Sequence, residues 1–134
     1  MRQIKFRAWD KENKRMLPVD YMKLDFGKVP YVNGETFSKD DGWFVYELDD
    51  DDFELMQYTG LKDKNGVEVY EGDIIRAKFI KDGSEATGWI EYFDKDASFI
   101  CHLKGGDYAL LVALSELEVI GNIYENPEFL KDKK

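Results

Sequence analysis

The chain has 134 residues, which suits one domain or two small subdomains sharing a core. Apolar residues make up 43% and charged residues 35%, so a core can be buried and a disordered polymer is excluded. The net charge is −9, from 19 Lys+Arg against 28 Asp+Glu, which opposes general binding to phosphate backbones. No apolar run approaches the ~20 residues of a membrane span. The start, Met1 to Arg7, weaves charge through its apolar positions, unlike a secretion signal. A cytoplasmic protein without membrane association is therefore expected. Cys101 is the only cysteine and His102 the only histidine, which excludes an intrachain disulfide, a cysteine zinc site and a multi-histidine metal site. Phosphate-loop, dinucleotide and Gly-x-Ser-x-Gly motifs are absent. No metal, no cofactor and no enzymatic activity are expected.

The charge is unevenly spread. Residues 1–33 carry eight basic and four acidic residues, whereas residues 34–60 carry one basic and nine acidic. Only the N-terminal segment has the sign that nucleic acid requires.

The dominant hydrophobic period is two, the signature of half-buried strands. Ile4, Phe6 and Ala8 alternate with Lys5, Arg7 and Trp9; Asp10 to Lys14 reads as a turn, and Arg15 to Leu17 as the returning strand. Between Pro18 and Asp41 the pattern weakens, and Asn33-Gly34 predicts a two-residue hairpin turn. Phe44, Tyr46 and Leu48 alternate again before the run Asp49 to Asp52, and a further strand runs from Phe53 to Thr59. After Asn65-Gly66, four strands follow: Ile75 to Phe79, Phe99 to Leu103 and Tyr108 to Val112 alternate, while Gly88 to Phe93 is apolar on both faces, Trp89 and Phe93 against Ile90 and Tyr92. Leu114-Ser115-Glu116 has the length of one helical turn, and Leu117 to Ile123 forms a last strand. Five short strands with a helical turn before the fifth predict an SH3-like barrel. The expected fold is mainly β: a region of irregular β-hairpins over residues 1–60 packed on an SH3-like barrel over 61–126, followed by a tail, 127–134.

The candidate sites are few. Cys101 and His102 are neighbours on a strand and point to opposite faces, so they cannot act as a dyad; a buried thiol and an exposed imidazole are expected. Asp94-x-Asp96-x-Ser98 and Asp63-Lys64-Asn65-Gly66 begin like calcium loops but lack the glycine and glutamate that complete one, and both read as turns. The aspartate run 49–52 reads as a solvated loop, with weak cation binding or a contact with a basic partner the alternatives. Lys5, Arg7 and Trp9 share one strand face, and basic side chains beside an aromatic can hold single-stranded nucleic acid. The same pattern suits an edge strand blunted by lysine, or a surface paired with the acidic 40–54 segment. Aromatics are abundant, at 15% of the chain, and Trp43, Trp89, Tyr92, Phe93 and Tyr108 exceed what one small core holds. Trp89 and Phe93, with Ile100 and Leu111, predict an apolar patch that closes a homo-oligomer, by default a dimer.

Three blocks are distinctive: Ile4 to Asp10; Leu55-Met56-Gln57-Tyr58-Thr59-Gly60-Leu61-Lys62-Asp63-Lys64-Asn65-Gly66 continuing through Tyr70-Glu71-Gly72-Asp73-Ile74-Ile75; and Val119 to Pro127. Together they resemble the YopX family, small proteins of phages and prophages of Gram-positive bacteria. The resemblance implies a largely β fold with a barrel-like C-terminal part, and it brings no catalytic motif. It points to a non-enzymatic phage accessory protein that binds a host or phage protein. The block residues have a physical reading too: Gly60, Gly66, Gly72 and Gly121 suit positive φ in tight turns. A nucleic-acid module built on Lys5, Arg7 and Trp9 is the alternative function.

Overall fold

The computed structural model describes residues 3–131, and the chain is mainly β. Twelve strands follow one another: β1 Phe6–Asp10, β2 Arg15–Pro18, β3 Tyr21–Asp25, β4 Lys28–Ser38, β5 Gly42–Asp49, β6 Phe53–Lys62, β7 Glu68–Tyr70, β8 Asp73–Phe79, β9 Glu85–Phe93, β10 Ser98–Leu103, β11 Tyr108–Leu110 and β12 Leu114–Asn122. Short 3-10 turns at Asp50–Asp52, Leu111–Ala113 and Pro127–Leu130 supply the helical content. Among the described residues no helix is long and apolar enough to cross a membrane. The chain divides into two compact units, the break falling after Gln57 inside β6.

The first unit is built from two antiparallel sheets. In one, β1 lies between β2 and the first half of β6; in the other, β4 lies between β3 and β5. Period-two alternation gives each sheet one apolar face, and these faces meet. Ala8 and Leu17 from one sheet pack with Val32 and Tyr46 from the other, with Phe53 beside them. Asp10 is fully buried at the end of β1 and accepts hydrogen bonds from the Asn13 backbone N–H at 3.2 Å, from Asn13 Nδ2 at 3.0 Å and from Arg15 Nε at 3.3 Å. Burial pushes its carboxyl up, but these donors outweigh burial and hold it below the usual carboxylate range.

The Asn33-Gly34 turn expected from the sequence does not form. β4 runs straight through it, with Asn33 opposite Tyr21 and Glu47, and Gly34 opposite Tyr46. Gly34 is needed for close approach instead of turning. A Cβ there would lie 2.9 Å from the Pro18 carbonyl and 3.0 Å from the Tyr46 ring. The chain turns at Phe26-Gly27 and before Gly42, where φ is positive.

The second unit is one five-stranded antiparallel sheet in the order β11-β10-β9-β8-β12, curled into a half-barrel around its own core. Val69, Ile75, Ala77, Ala86, Ile90, Cys101 and Leu114 fill it. The short β7 pairs with the second half of β6, Tyr58 opposite Tyr70. The five strands are those the sequence predicts, but β11 and β12 are separate edges in these ladders, so barrel closure of the SH3 kind is not among the pairings. The helical turn lies earlier than expected, at Leu111–Ala113, and Leu114 already begins β12. β11 also has the opposite phase. Ala109 is buried while Tyr108 and Leu110 are exposed, because a three-residue strand paired only to β10 buries its one small residue. Two register irregularities in β12, beside Glu116 at φ 52° and at Ile120, explain why no single alternation describes it.

Asp63 fastens this unit. It is 7% exposed, and its carboxylate accepts backbone N–H groups from Asn65 at 2.8 Å, Val67 at 2.9 Å and Val119 at 3.0 Å. Burial raises its pKa from 3.8, but the Val119, Val67 and Asn65 donors, aided by Lys64, outweigh it and the net shift is downward. A carboxyl whose pKa is lower folded than unfolded stabilises above the unfolded value, and that contribution vanishes as pH falls through the folded one. Asp63→Ala leaves three amides unpaired and is expected to cost about 3 kcal/mol at pH 7 by denaturant titration. Asp63→Asn, which keeps one acceptor, costs less, and its deficit shrinks below about pH 4. A deficit independent of pH would refute the charged-acceptor role. Gly88 gives a packing counterpart: a Cβ there overlaps the His102 carbonyl and lies 2.9 Å from Cys101 Sγ. Gly88→Ala is expected to destabilise by about 3 kcal/mol, whereas Gly105→Ala, which meets nothing within 4 Å, is neutral in the same thermal melt.

Candidate functional site

Lys5, Arg7 and Trp9 do not form an open platform. Lys5 is exposed ahead of β1, while Arg7 and Trp9 are half-buried on a strand paired along both edges, Arg7 opposite Pro18 and Met56, Trp9 opposite Met16 and Glu54. β1 is thus an interior strand and not a lysine-blunted edge. Contacts with the 40–54 segment include the Lys11–Glu54 ion pair at 3.2 Å and the Arg15 guanidinium over the Phe44 ring at 4.5 Å. The expected patch of Trp89, Phe93, Ile100 and Leu111 is not one surface either. Ile100 is 1% exposed on a strand flanked by β9 and β11, and Leu111 folds back against the half-barrel core. Trp89 stacks on His102 at 4.0 Å between ring centres, so the imidazole is half-buried where exposure was expected, and its Nδ1 has no hydrogen-bond partner. Phe93 leans on Tyr108 at 5.1 Å. The aspartate run is exposed, and the Asp52 carbonyl accepts the Lys11 N–H at 3.0 Å. Among the described residues no three His, Cys, Asp or Glu gather as a metal set.

Tyr92 and Tyr108 remain 47% and 45% exposed, and further exposed aromatics lie on the outer face of the β3-β4-β5 sheet. With Phe44, Tyr46 and Leu48 turned to the core, alternation forces Trp43, Val45 and Glu47 outward, and pairing with β4 sets Phe37 opposite Trp43 and Glu35 opposite Val45. Phe37 and Trp43 meet edge to face at 5.9 Å yet remain 58% and 76% exposed, and Val45 is 77% exposed. Tyr21 and Tyr31 form a second edge-to-face pair at 6.4 Å along the same face. Glu35, Glu47 and Asp49 stand among these rings, with Asp40 and Asp41 in the turn beyond Phe37. A cleft of about 340 Å³ opens beside Val45, lined by Asp20, Asn33, Gly34, Glu35, Tyr46 and Glu47. Asp20 is anchored there by the Glu35 N–H at 2.9 Å. The Tyr46 hydroxyl donates to the Pro18 carbonyl; burial, then the Asp20 charge, pushes its pKa up, so it stays protonated. Of this face the sequence singled out Trp43 as surplus to the core, whereas Phe37, Val45 and Tyr21 were hidden by the false hairpin at Asn33-Gly34.

The model of the YopX protein family matches residues 5–131. The chain belongs to the YopX family. Among solved structures, it is similar to protein EF1440 from Enterococcus faecalis, with 29% identity and a TM-score of 0.67 over 98% of this chain and 100% of that one. It shares its fold with protein yopX from Bacillus subtilis, at 18% identity and a TM-score of 0.53 over the full length of both chains. No curated protein matches it.

The blocks that carry the YopX resemblance act as fasteners. Asp73 Oδ2 accepts the Tyr70 N–H at 2.8 Å across a turn in which Gly72 has φ 85°. Asn122 Oδ1 accepts the N–H groups of Tyr124 at 3.0 Å and Glu125 at 2.9 Å. Gly121 does not adopt positive φ; a Cβ there would lie 2.7 Å from Asn126 Cγ, so the residue makes room for that side chain. Cys101, fully buried, is no nucleophile. Burial pushes its thiol up to about 12. A disulfide reagent is expected to label the native chain at least ~1000-fold more slowly than the denatured chain, and comparable rates would show the site to be open.

Proposed function

We propose that this YopX-family chain is a non-catalytic protein-recognition module whose contact surface is the outer face of β3–β5. The observation that carries the proposal is the Phe37–Trp43 pair, packed together and still largely in water. A sheet face that spends aromatics outward has the composition of an interface centre. Its charge gives the partner's chemistry: with carboxylates at Glu35, Glu47 and Asp49 among the rings, it suits a protein surface presenting lysine or arginine beside apolar side chains. The Trp43 ring offers a cation a favourable face. The resemblance to phage and prophage proteins supports looking for that partner in the host cell or in the phage itself. Nucleic acid is the poorer reading, since Arg7 and Trp9 are held on an interior strand and the exposed face is acidic.

One observation favours self-association as well. In the second unit Ile80, Tyr108, Leu110 and Val112 line an apolar groove of about 500 Å³ beside β11, which pairs only with β10. If a dimer forms, this groove is a better seat for it than the scattered set of Trp89, Phe93, Ile100 and Leu111.

The test is affinity capture from bacterial extract with the wild type and the Phe37→Ala/Trp43→Ala variant, whose side chains are exposed and leave the melting temperature unchanged. A partner retained by the wild type is expected to bind the variant at least ~30-fold more weakly, and to be released by salt. Identical retention by both would overturn the assignment. In sedimentation equilibrium, Leu110→Glu is expected to convert any dimer to a 15.7 kDa species; a dimer unaffected by this change refutes the groove as its seat.

A further inference from the structure

The second unit holds a pocket whose charge runs against that of the chain. It has a volume of about 540 Å³, within the usual range of small-molecule sites (~300–1,000 Å³). Arg76 of β8, Thr87 of β9, Ile120 of β12, Lys104 after β10, and Phe129 and Lys131 at the C-terminal turn line it. Glu128 is the one acid on the lining. Three cations thus converge in a protein of net charge −9. Arg76 is held in place by Glu118, with Nη2 to Oε1 at 2.8 Å, and Glu118 is steadied in turn by Lys64 at 3.8 Å. That bond uses one guanidinium nitrogen; among the described residues Nε and Nη1 have no acceptor. Lys104 and Lys131 have no carboxylate within ion-pair distance among the described residues. The lining joins these donors to an apolar part, the partly exposed Phe129 ring and the half-buried Ile120.

We propose that this pocket binds a small phosphate ester with a flat apolar body, the chemistry of a nucleoside monophosphate. Arg76, Lys104 and the Thr87 hydroxyl take the phosphate, because a guanidinium fixed by a carboxylate offers its remaining N–H groups to phosphate oxygens without losing further side-chain freedom. Phe129 takes the base by stacking. The three cations lie close together on the lining, so the local positive charge persists within a chain of net negative charge. That same net charge repels a long polyanion, which selects a free nucleotide over a nucleic-acid strand. The site is independent of the sheet face proposed above for protein recognition.

Calorimetric titration of the full chain with AMP, adenosine, inorganic phosphate and a short single-stranded DNA decides it. AMP is expected to bind saturably below ~1 mM and at least tenfold more tightly than either adenosine or phosphate. Lys104→Glu is expected to weaken AMP binding at least tenfold, and Phe129→Ala to bring AMP down to the level of phosphate. Both changes are to lines of partly exposed side chains, and unchanged melting temperatures confirm the fold; should Phe129→Ala melt early, Lys104→Gln gives the same reading. Absence of AMP binding, equal binding of AMP and phosphate, indifference to Lys104→Glu, or DNA binding tighter than AMP each overturns the proposal.

Discussion

The C-terminal unit depends on a carboxylate that neutralises backbone. Asp63 ends the path from β6 and places one oxygen on the amides of Asn65 and Val67 and the other on the amide of Val119. The first two close a tight turn that Gly66, at φ 84°, allows. The third reaches 56 residues along the chain to β12. β12 is irregular in its pairing with β8, shifting register twice, and such a strand leaves amides that the ladder does not satisfy. The side chain supplies the missing acceptor at that irregularity. A neutral acceptor would satisfy the same geometry with roughly half the strength, since hydrogen bonds to an ionised group are about twice as strong. The Lys64 N–H donates to the Leu117 carbonyl at 2.8 Å, so the turn is tied to β12 by a backbone bond as well as by the Asp63 side chain.

This explains why the legible parts of the sequence were those they were. Period-two alternation identified β1, β5, β8, β9 and β10, because strands with one buried face must alternate. It failed where burial is not one-sided. Ile100 and Cys101 are adjacent and both buried, so both faces of β10 are covered there, and no periodicity separates such a strand from a mixed one. It failed again at β11, too short to show a phase. Asn33-Gly34 misled for a different reason. A glycine signals either a positive φ or a close approach, and only tertiary structure distinguishes them. Asp63 was correctly read as a turn residue, but its bond to Val119 has no local signature. The candidate surface was legible only as an excess of aromatics. The residues nominated from that excess all meet another ring, Trp43 with Phe37, Trp89 with His102, Tyr92 with Phe99 at 5.5 Å and Phe93 with Tyr108, and of these Trp43, Tyr92 and Tyr108 remain exposed.

The blocks that carry the family resemblance and the residues that face solvent with aromatic side chains fall in different parts of the chain. The blocks cover β1, the end of β6 through β7 into β8, and the close of β12. Four of their polar residues, Asp63, Asp73, Asn122 and Asn126, turn their side-chain oxygens onto backbone amides. The β3–β5 sheet lies outside all three. Its inner face is held to the first sheet by Val32, Leu17 and Ala8 and by the Tyr46 hydroxyl on the Pro18 carbonyl, so its outer face is presented on a rigid support.

The acidic residues on that outer face have a consequence beyond attracting a basic partner. An exposed sheet face with Phe37, Trp43 and Val45 is a hazard, because two copies can cover each other's rings. Both copies, however, would bring Glu35, Glu47 and Asp49 into a face-to-face contact, and like charges juxtaposed in a desolvated interface cost several kcal/mol (on the order of 2–5). On the reading proposed above, the same residues disfavour a second copy and suit a cationic surface. The apolar groove beside β11 carries no such guard: Lys81 is its one charge, at the rim, with the ammonium 5.6 Å from the centre of the Phe79 ring. Of the two proposed surfaces, the sheet face therefore carries charges that oppose a second copy, and the groove does not.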